Sequence, residues 1–222
     1  MTTINGYEIK TYADLSGADL SGQDLSGLDL YGSDLSGADL SGATCVGCDF
    51  QFANLDGANL TNADFTESNF RKADLQHSTI NGTNFTECRF HEADLDGVTI
   101  ENSDLTYTSF FKTNLHGSRF LGNTISQTGF SHAVMSSSVL ENQDFRYANI
   151  TGVQFLGANL TNIDLRGVDI NDCDFSQVNF RNANLSGANL LYNILSFINL
   201  NGANITSTVF DDNVDVTDAV TY

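Results

Sequence analysis

The 222-residue chain has no proline and no tryptophan, four cysteines, two methionines, and only nine Lys and Arg against 28 Asp and Glu. The formal charge of -19 excludes a basic surface for nucleic acid or an anionic membrane, and favours solubility or a basic partner. No run of 18 apolar residues occurs, so no membrane-spanning helix is expected. Residues 1–11, MTTINGYEIKT, have neither the basic nor the apolar region of a signal peptide, and a cytoplasmic location is expected. Without a leader, the Asn-x-Ser/Thr triplets at Asn59 and Asn159 carry no weight as glycosylation sites. A Ser-His-Asp grouping and a P-loop are also missing, so no catalytic residue and no cofactor is assigned and an enzyme is not expected. The 41% of apolar residues can still build one core, and a single domain is the default.

What is present is a five-residue word. Residues 13–42 read ADLSG ADLSG QDLSG LDLYG SDLSG ADLSG, and looser spellings continue to Ser207. In steps of five from Leu15 to Phe210, forty positions are all Leu, Phe, Ile, Met or Cys. A period of five fits neither the 3.6 of a helix nor the 2 of a simple strand. Two residues before each of these centre positions stands a second inward type, mostly Ala, Ser, Thr, Cys or Val. A small and a large residue separated by a polar one make the inward pair of a very short strand, and the other two residues must turn a corner. Seventeen of the nineteen glycines occupy the second corner position, where a positive φ or a crowded backbone is expected. A short strand and a corner, repeated identically, close into a coil whose successive turns pair as parallel strands. Gln23, Leu28, Asn123, Gln143, Asn193 and Ile198 are too large or too polar for the small position, so bulging or satisfied amides are expected there.

The A(D/N)LxG word in unbroken tandem resembles the pentapeptide repeat family, over residues 13–212. The resemblance implies an all-β fold, a right-handed quadrilateral parallel β-helix with four pentapeptides per coil and about ten coils for forty words. A β spacing of about 4.8 Å then gives a rod roughly 45 to 50 Å long. Stacked equivalents lie twenty residues apart, so Phe50, Phe70, Phe90, Phe110 and Phe130 are expected to form one ring column, with Phe65, Phe85, Phe145 and Phe155 in others. The frame never slips, so no internal loop is expected between residues 13 and 210. Residues 1–12 are the expected N-terminal cap, with Ile4, Tyr7, Ile9 and Tyr12 available to cover the core, and residues 211–222 are an acidic C-terminal tail or cap.

Cys45 and Cys48 have the spacing of a redox or zinc pair, but in this frame Cys45 is a centre residue and Cys48, Cys88 and Cys173 are small-position residues. Four packed, reduced thiols are the expectation. His77, His91, His116 and His132 fall on outward positions of different coils, so no shared metal site is expected.

The surface therefore carries what function can be read. Residues 1–104 hold eighteen carboxylates and four basic residues, a net of -14, and residues 105–222 ten and five, a net of -5. Asp14, Asp34, Asp56, Asp74, Asp94, Asp96 and, beyond a gap, Asp174 fall on one side of a twenty-residue coil, a candidate acidic stripe for a partner. The competing reading is that Asp before the centre residue belongs to the word and only keeps the rod soluble. Phe111, Leu121, Val134 and Val139 are outward apolar residues in a stretch of low charge, and Leu191, Tyr192, Ile194 and Phe197 depart from the word near the C-terminal end. The first four are a candidate contact; the last four lie under the acidic tail or form a subunit contact. The resemblance implies a protein partner, either DNA gyrase or topoisomerase IV bound by a DNA mimic that gives quinolone protection, or, alternatively, a partner of a regulatory scaffold such as those of cyanobacterial differentiation. Direct nucleic-acid and membrane binding are not expected, and a monomer and a C-terminal homodimer both stay open.

Overall fold

A computed structural model describes residues 2–212 and 214–219. Met1, Asn213 and residues 220–222, which belong to the expected cap and tail, lie outside the described residues. No helix occurs among the described residues.

Two strands, β1 (Thr2–Ile4) and β2 (Tyr7–Ile9), open the chain as an antiparallel hairpin. Asn5 and Gly6 both take positive φ, 49° and 85°, the two-residue turn whose twist matches that of the flanking strands. Ile9 is buried, and Ile4 and Tyr7 pack on the core behind it. Tyr12 does not join them. It is 71% exposed and packs its ring edge-on to Tyr31 at 5.5 Å.

From Ala13 onward the backbone pairs with itself twenty residues later. Every isolated bridge is parallel with an offset of twenty, from Asp14↔Asp34 to Asn189↔Val209. The same offset joins β3 (Ile80–Asn81), β4 (Thr99–Glu101) and β5 (Arg119–Leu121). One word shows how this works. Leu15 N–H donates to Asp34 O at 2.7 Å, Gly17 N–H donates to Ser36 O at 2.8 Å, and Asp34 N–H returns a bond to Ala13 O at 2.9 Å. Ala18 N–H then donates to Leu15 O at 3.0 Å, closing the corner. The chain spends nearly all its peptide groups this way, so the ladders, and not long strands, carry the hydrogen bonding.

The centre residues face inward. All those from Leu15 to Leu190 are buried, whereas Leu195, Ile205 and Phe210 are only half-buried, where the repeats end. The expected ring column forms: Phe50–Phe70, Phe70–Phe90, Phe90–Phe110 and Phe110–Phe130 stack at 4.9, 4.8, 5.1 and 5.3 Å. Phe65–Phe85 and Phe155–Phe175 stack likewise, and Phe145 lies over Phe130. Edge contacts such as Phe70–Phe85 lock neighbouring columns together.

The small position has a chemistry of its own. Thr83, Thr108, Thr113 and Thr128 each donate their hydroxyl to the carbonyl of a centre residue twenty-three positions earlier, at 2.6 to 2.8 Å. The amides of Asn123 and Asn193 do the same to Ile100 O and Ile170 O, both at 2.8 Å, and accept from a backbone N–H besides. Gln143 departs from this expectation: its Nε2 reaches Glu141 O, but its buried Oε1 has no partner. Beside it, the ladder that runs through Asp104 and Thr124 lacks a Thr124–Asp144 bridge and resumes at Asp144↔Asp164.

Candidate protein-interaction surfaces

The proposed acidic stripe is a real alignment of backbone positions. Asp14↔Asp34, Asp34↔Asn54, Asn54↔Asp74, Asp74↔Asp94 and Asp94↔Asn114 are successive bridges of one ladder, which continues through Val134 and Gln154 to Asp174. Asp56 and Asp96 stand at the corner beside it, where Asp96 N–H donates to Asp94 Oδ1. The ladder is not unique in its acidity, because Asp19↔Asp39 and Asp29↔Asp49 run through others.

A physical reason for the recurring Asp is visible in its contacts. The carboxylate Oδ1 accepts the N–H two residues on, at the start of the corner: Ser16 N–H on Asp14 at 3.2 Å, Ser36 on Asp34 at 3.0 Å, Gln76 on Asp74 at 3.0 Å. Asn54, Asn59 and Asn84 cap their corners identically. The serine hydroxyls and N–H groups of Ser16 and Ser21 hold the Asp14 and Asp19 carboxyls below their ordinary range, and Ser26 does so for Asp24. Asp and Asn are thus interchangeable for the turn and different for the charge.

The four outward apolar residues of the middle do not make one belt. All are half-buried. Phe111 lies edge-on between His91 and His132, at 5.7 and 5.8 Å, under the Lys112 ammonium. Val134 and Val139 belong to different ladders, and Leu121 ends β5. At the far end the tail covers less than the sequence allowed. It returns to the repeats through Tyr192 N–H on Asp211 Oδ2 at 3.1 Å and Gly202 N–H on Asp218 O at 3.1 Å. Leu191 is half-buried, but Tyr192, Ile194 and Phe197 are 76%, 56% and 89% exposed, so these three are not under the described residues of the tail. A cavity of about 640 Å³ between Ile194, Phe197, Asp211 and Asp215 marks the incompletely covered end.

The cysteines are free and buried. The Cys48 thiol beside it and burial push the Cys45 thiol up, and Cys48 Sγ donates to Leu25 O at 2.9 Å. Burial raises Cys88 strongly and Cys173 to about 12, whereas the Cys45 thiol beside it lowers Cys48. His77 contacts Asp56 at 2.7 Å, and that carboxylate raises its pKa. His91 contacts Ser109 Oγ at 2.9 Å, and burial, then Arg89 and Arg71, lower its pKa. No group of three or more His, Cys, Asp or Glu is placed to hold a metal among the described residues.

Two surface features escaped the sequence reading. Exposed Tyr12, half-buried Tyr31 and exposed Phe52 form a ring ridge, Tyr31–Phe52 at 5.3 Å, extended by the Lys72 ammonium 5.5 Å over Phe52. The spacing of 12, 52 and 72 in multiples of twenty was the available signal. The other is a cluster of Arg71, Lys72, Arg89 and Lys112, four of the nine basic residues, on the middle coils.

Two family profiles and several solved structures are similar to the chain. A pentapeptide repeat profile of eight copies matches residues 11–42, 126–162 and 158–190, and a pentapeptide repeat region profile matches residues 53–130. No curated protein matches. Among solved structures, HetL of the cyanobacterium Nostoc, a pentapeptide repeat protein involved in heterocyst differentiation regulation, is 22% identical, with 85% of this chain and 90% of HetL covered and a TM-score of 0.41. A trypsin-treated form of QnrB1, a plasmid-mediated fluoroquinolone resistance protein, is 27% identical over 69% of this chain and 84% of its own, with a TM-score of 0.36. With its unbroken five-residue frame, its twenty-residue parallel register and two matching profiles, the chain belongs to the pentapeptide repeat family.

Proposed function

We propose that this is a non-enzymatic interaction protein that offers the acidic ladder of its N-terminal half to a basic surface on a protein partner. The observation that carries the reading is the ladder through Asp14, Asp34, Asn54, Asp74 and Asp94, four carboxylates in five successive bridged positions of a chain with net charge -19. The rod we infer is right-handed and four-sided, with about ten coils. Successive coils about 4.8 Å apart present charge to a partner with a regularity that flexible acidic segments lack. A DNA-binding surface is the kind of basic partner such an array fits, and DNA gyrase is the specific candidate, as the family resemblance implies. Quinolone protection would follow from occupying that surface. We also propose a reducing cytoplasm as the compartment, which the four free thiols support. Pairing through the open C-terminal end is the dimer we favour, because Tyr192, Ile194 and Phe197 are exposed there together.

The test is a supercoiling assay with purified protein and gyrase, with and without a quinolone. Altered supercoiling or rescue from the drug is expected at micromolar protein, and no effect there rejects gyrase as the partner. A second reading, a scaffold unrelated to topoisomerases, is favoured by the capping role of the same aspartates, since Asn54 caps as Asp34 does. An affinity purification that recovers a stable partner other than a topoisomerase selects it.

A further inference from the structure

The cationic cluster lies beside a depression in the surface of the ladders. Arg89, Ser109 and Gly129 follow one another in a single ladder, through Arg89↔Ser109 and Ser109↔Gly129. Around the first two, a depression of about 460 Å³ is lined by Glu87, Cys88, Arg89, His91, Tyr107 and Ser109. Tyr107, 52% exposed, stands on one side, and His91, backed edge-on by the Phe111 ring, on the other.

Gly129 is the informative residue. Seventeen glycines occupy corners with φ between 61° and 70°, and Gly6 turns the hairpin, but Gly129 has no positive φ and sits on a face. A Cβ built there would meet nothing nearer than Thr108 O at 4.0 Å. Neither backbone conformation nor crowding calls for glycine, and what its missing side chain does is lower the floor beyond Ser109.

Arg89 is the second. Arg71 and Lys72 share Glu92, at 3.5 and 3.4 Å, but Arg89 enters no ion pair among the described residues and is exposed. Arg119 and Arg181 share that lack, and what sets Arg89 apart is its place in the wall of the depression. Its planar fork is suited to a carboxylate held through two N–H groups. Arg71 and Arg89 together lower the pKa of the His91 ring that walls the groove, behind the effect of burial.

We propose that this groove is a docking site for an extended, carboxylate-bearing segment of a protein partner, with one carboxylate on Arg89, an aromatic or apolar residue against Tyr107, and the backbone over Ser109 and Gly129. Charge complementarity decides the occupant: a basic or neutral segment would leave Arg89 unpaired, while Arg71, Lys72 and Lys112 outnumber Glu87 and Glu92 around it. The proposal rests on the reading that the protein works by binding a protein partner, but not on gyrase and not on the acidic ladder.

The experiment uses the full chain and a fluorescein-labelled peptide of three glutamates, a phenylalanine and three glutamates, followed by fluorescence anisotropy. Saturable binding is expected, weakened about tenfold by Arg89→Glu and comparably by Gly129→Val, and changed less than about twofold by the remote Arg181→Glu. Circular dichroism melts on each variant verify the fold. Absence of saturable binding, or an equal loss in Arg181→Glu, overturns the proposal. Loss with Arg89→Glu and displacement by millimolar inorganic phosphate, with Gly129→Val silent, makes it a small-anion site and overturns the peptide as occupant. A null gyrase assay leaves the groove standing, and a null peptide assay leaves the acidic ladder standing.

Discussion

At the scale of a residue, turn chemistry and charge have to be separated. Asp14 accepts both Ser16 N–H and Ser16 Oγ through Oδ1 alone, so Asp14→Asn keeps the cap, and its effect on stability is expected within about 0.5 kcal/mol in urea unfolding. Asp14→Ala removes it and is expected to cost about 1 kcal/mol. Asp94 uses both oxygens, for Asp96 N–H, Gln76 Nε2 and Asn114 Nδ2, so Asp94→Asn is expected to cost more than Asp14→Asn. Glycine at the second corner has an equally local reason. The position has positive φ whether it holds Gly37, Asn62 or Lys72, so the conformation is imposed by the coil and glycine relieves it. Gly37→Ala is therefore expected to cost only about 1 kcal/mol, since its Cβ meets nothing within 4 Å. Gly152→Ala is expected to cost more, because its Cβ would lie 2.4 Å from His132 Nδ1. His132→Ala in the same chain is expected to restore most of the difference, read from melting temperatures.

At the scale of an element, the unit is the column. Phe90 lies between Phe70 and Phe110 and touches Phe85, so Phe90→Ala is expected to cost about 3 to 5 kcal/mol and Phe90→Asp to abolish folding, judged by circular dichroism. The columns were legible because a strict period of five fixes which residues stack once the twenty-residue coil is assumed. The hydroxyl bonds spanning twenty-three residues were not, since nothing in a Thr or Ser says which coil its oxygen will address. Thr113→Val tests one of them, with an expected loss of about 1 kcal/mol. The missing Thr124–Asp144 bridge was half legible: Asn123 and Gln143 were visible misfits, but only the coordinates show that one amide is satisfied and the other is not. Hydrogen exchange at the Ile125 and Asp144 amides is expected to be faster than at Leu105 and Asp164, whose backbone bonds are intact. The N-terminal hairpin is spelled by Asn5-Gly6 between Ile4 and Tyr7, a signal that lies outside the five-residue frame.

At the scale of the whole molecule, charge and ends dominate. Asp14, Asp19 and Asp24 have lowered pKa values in the fold, so the unfolded chain binds more protons near their ordinary pKa of about 3.9. Their contribution to stability is present above that pH and is lost as pH falls through the lowered values. Replacing the three together by Asn is expected to flatten the acid side of a melting-temperature profile. The candidate surfaces were legible only in part, for a physical reason. A repeat places Asp14, Asp34, Asp74 and Asp94 on one ladder by arithmetic, whereas the depression at Arg89 depends on side chains from two successive twenty-residue turns, with Gly129 next in the same ladder.

The claim that the charge of the ladder, and not its caps, is what a partner reads is tested by replacing Asp14, Asp34, Asp74 and Asp94 together by Asn and repeating the gyrase supercoiling assay with a quinolone. The expected result is an effect of the unaltered chain that disappears in a variant whose fold, by circular dichroism, is retained. An undiminished effect in the folded variant, or none from the unaltered chain, would contradict it.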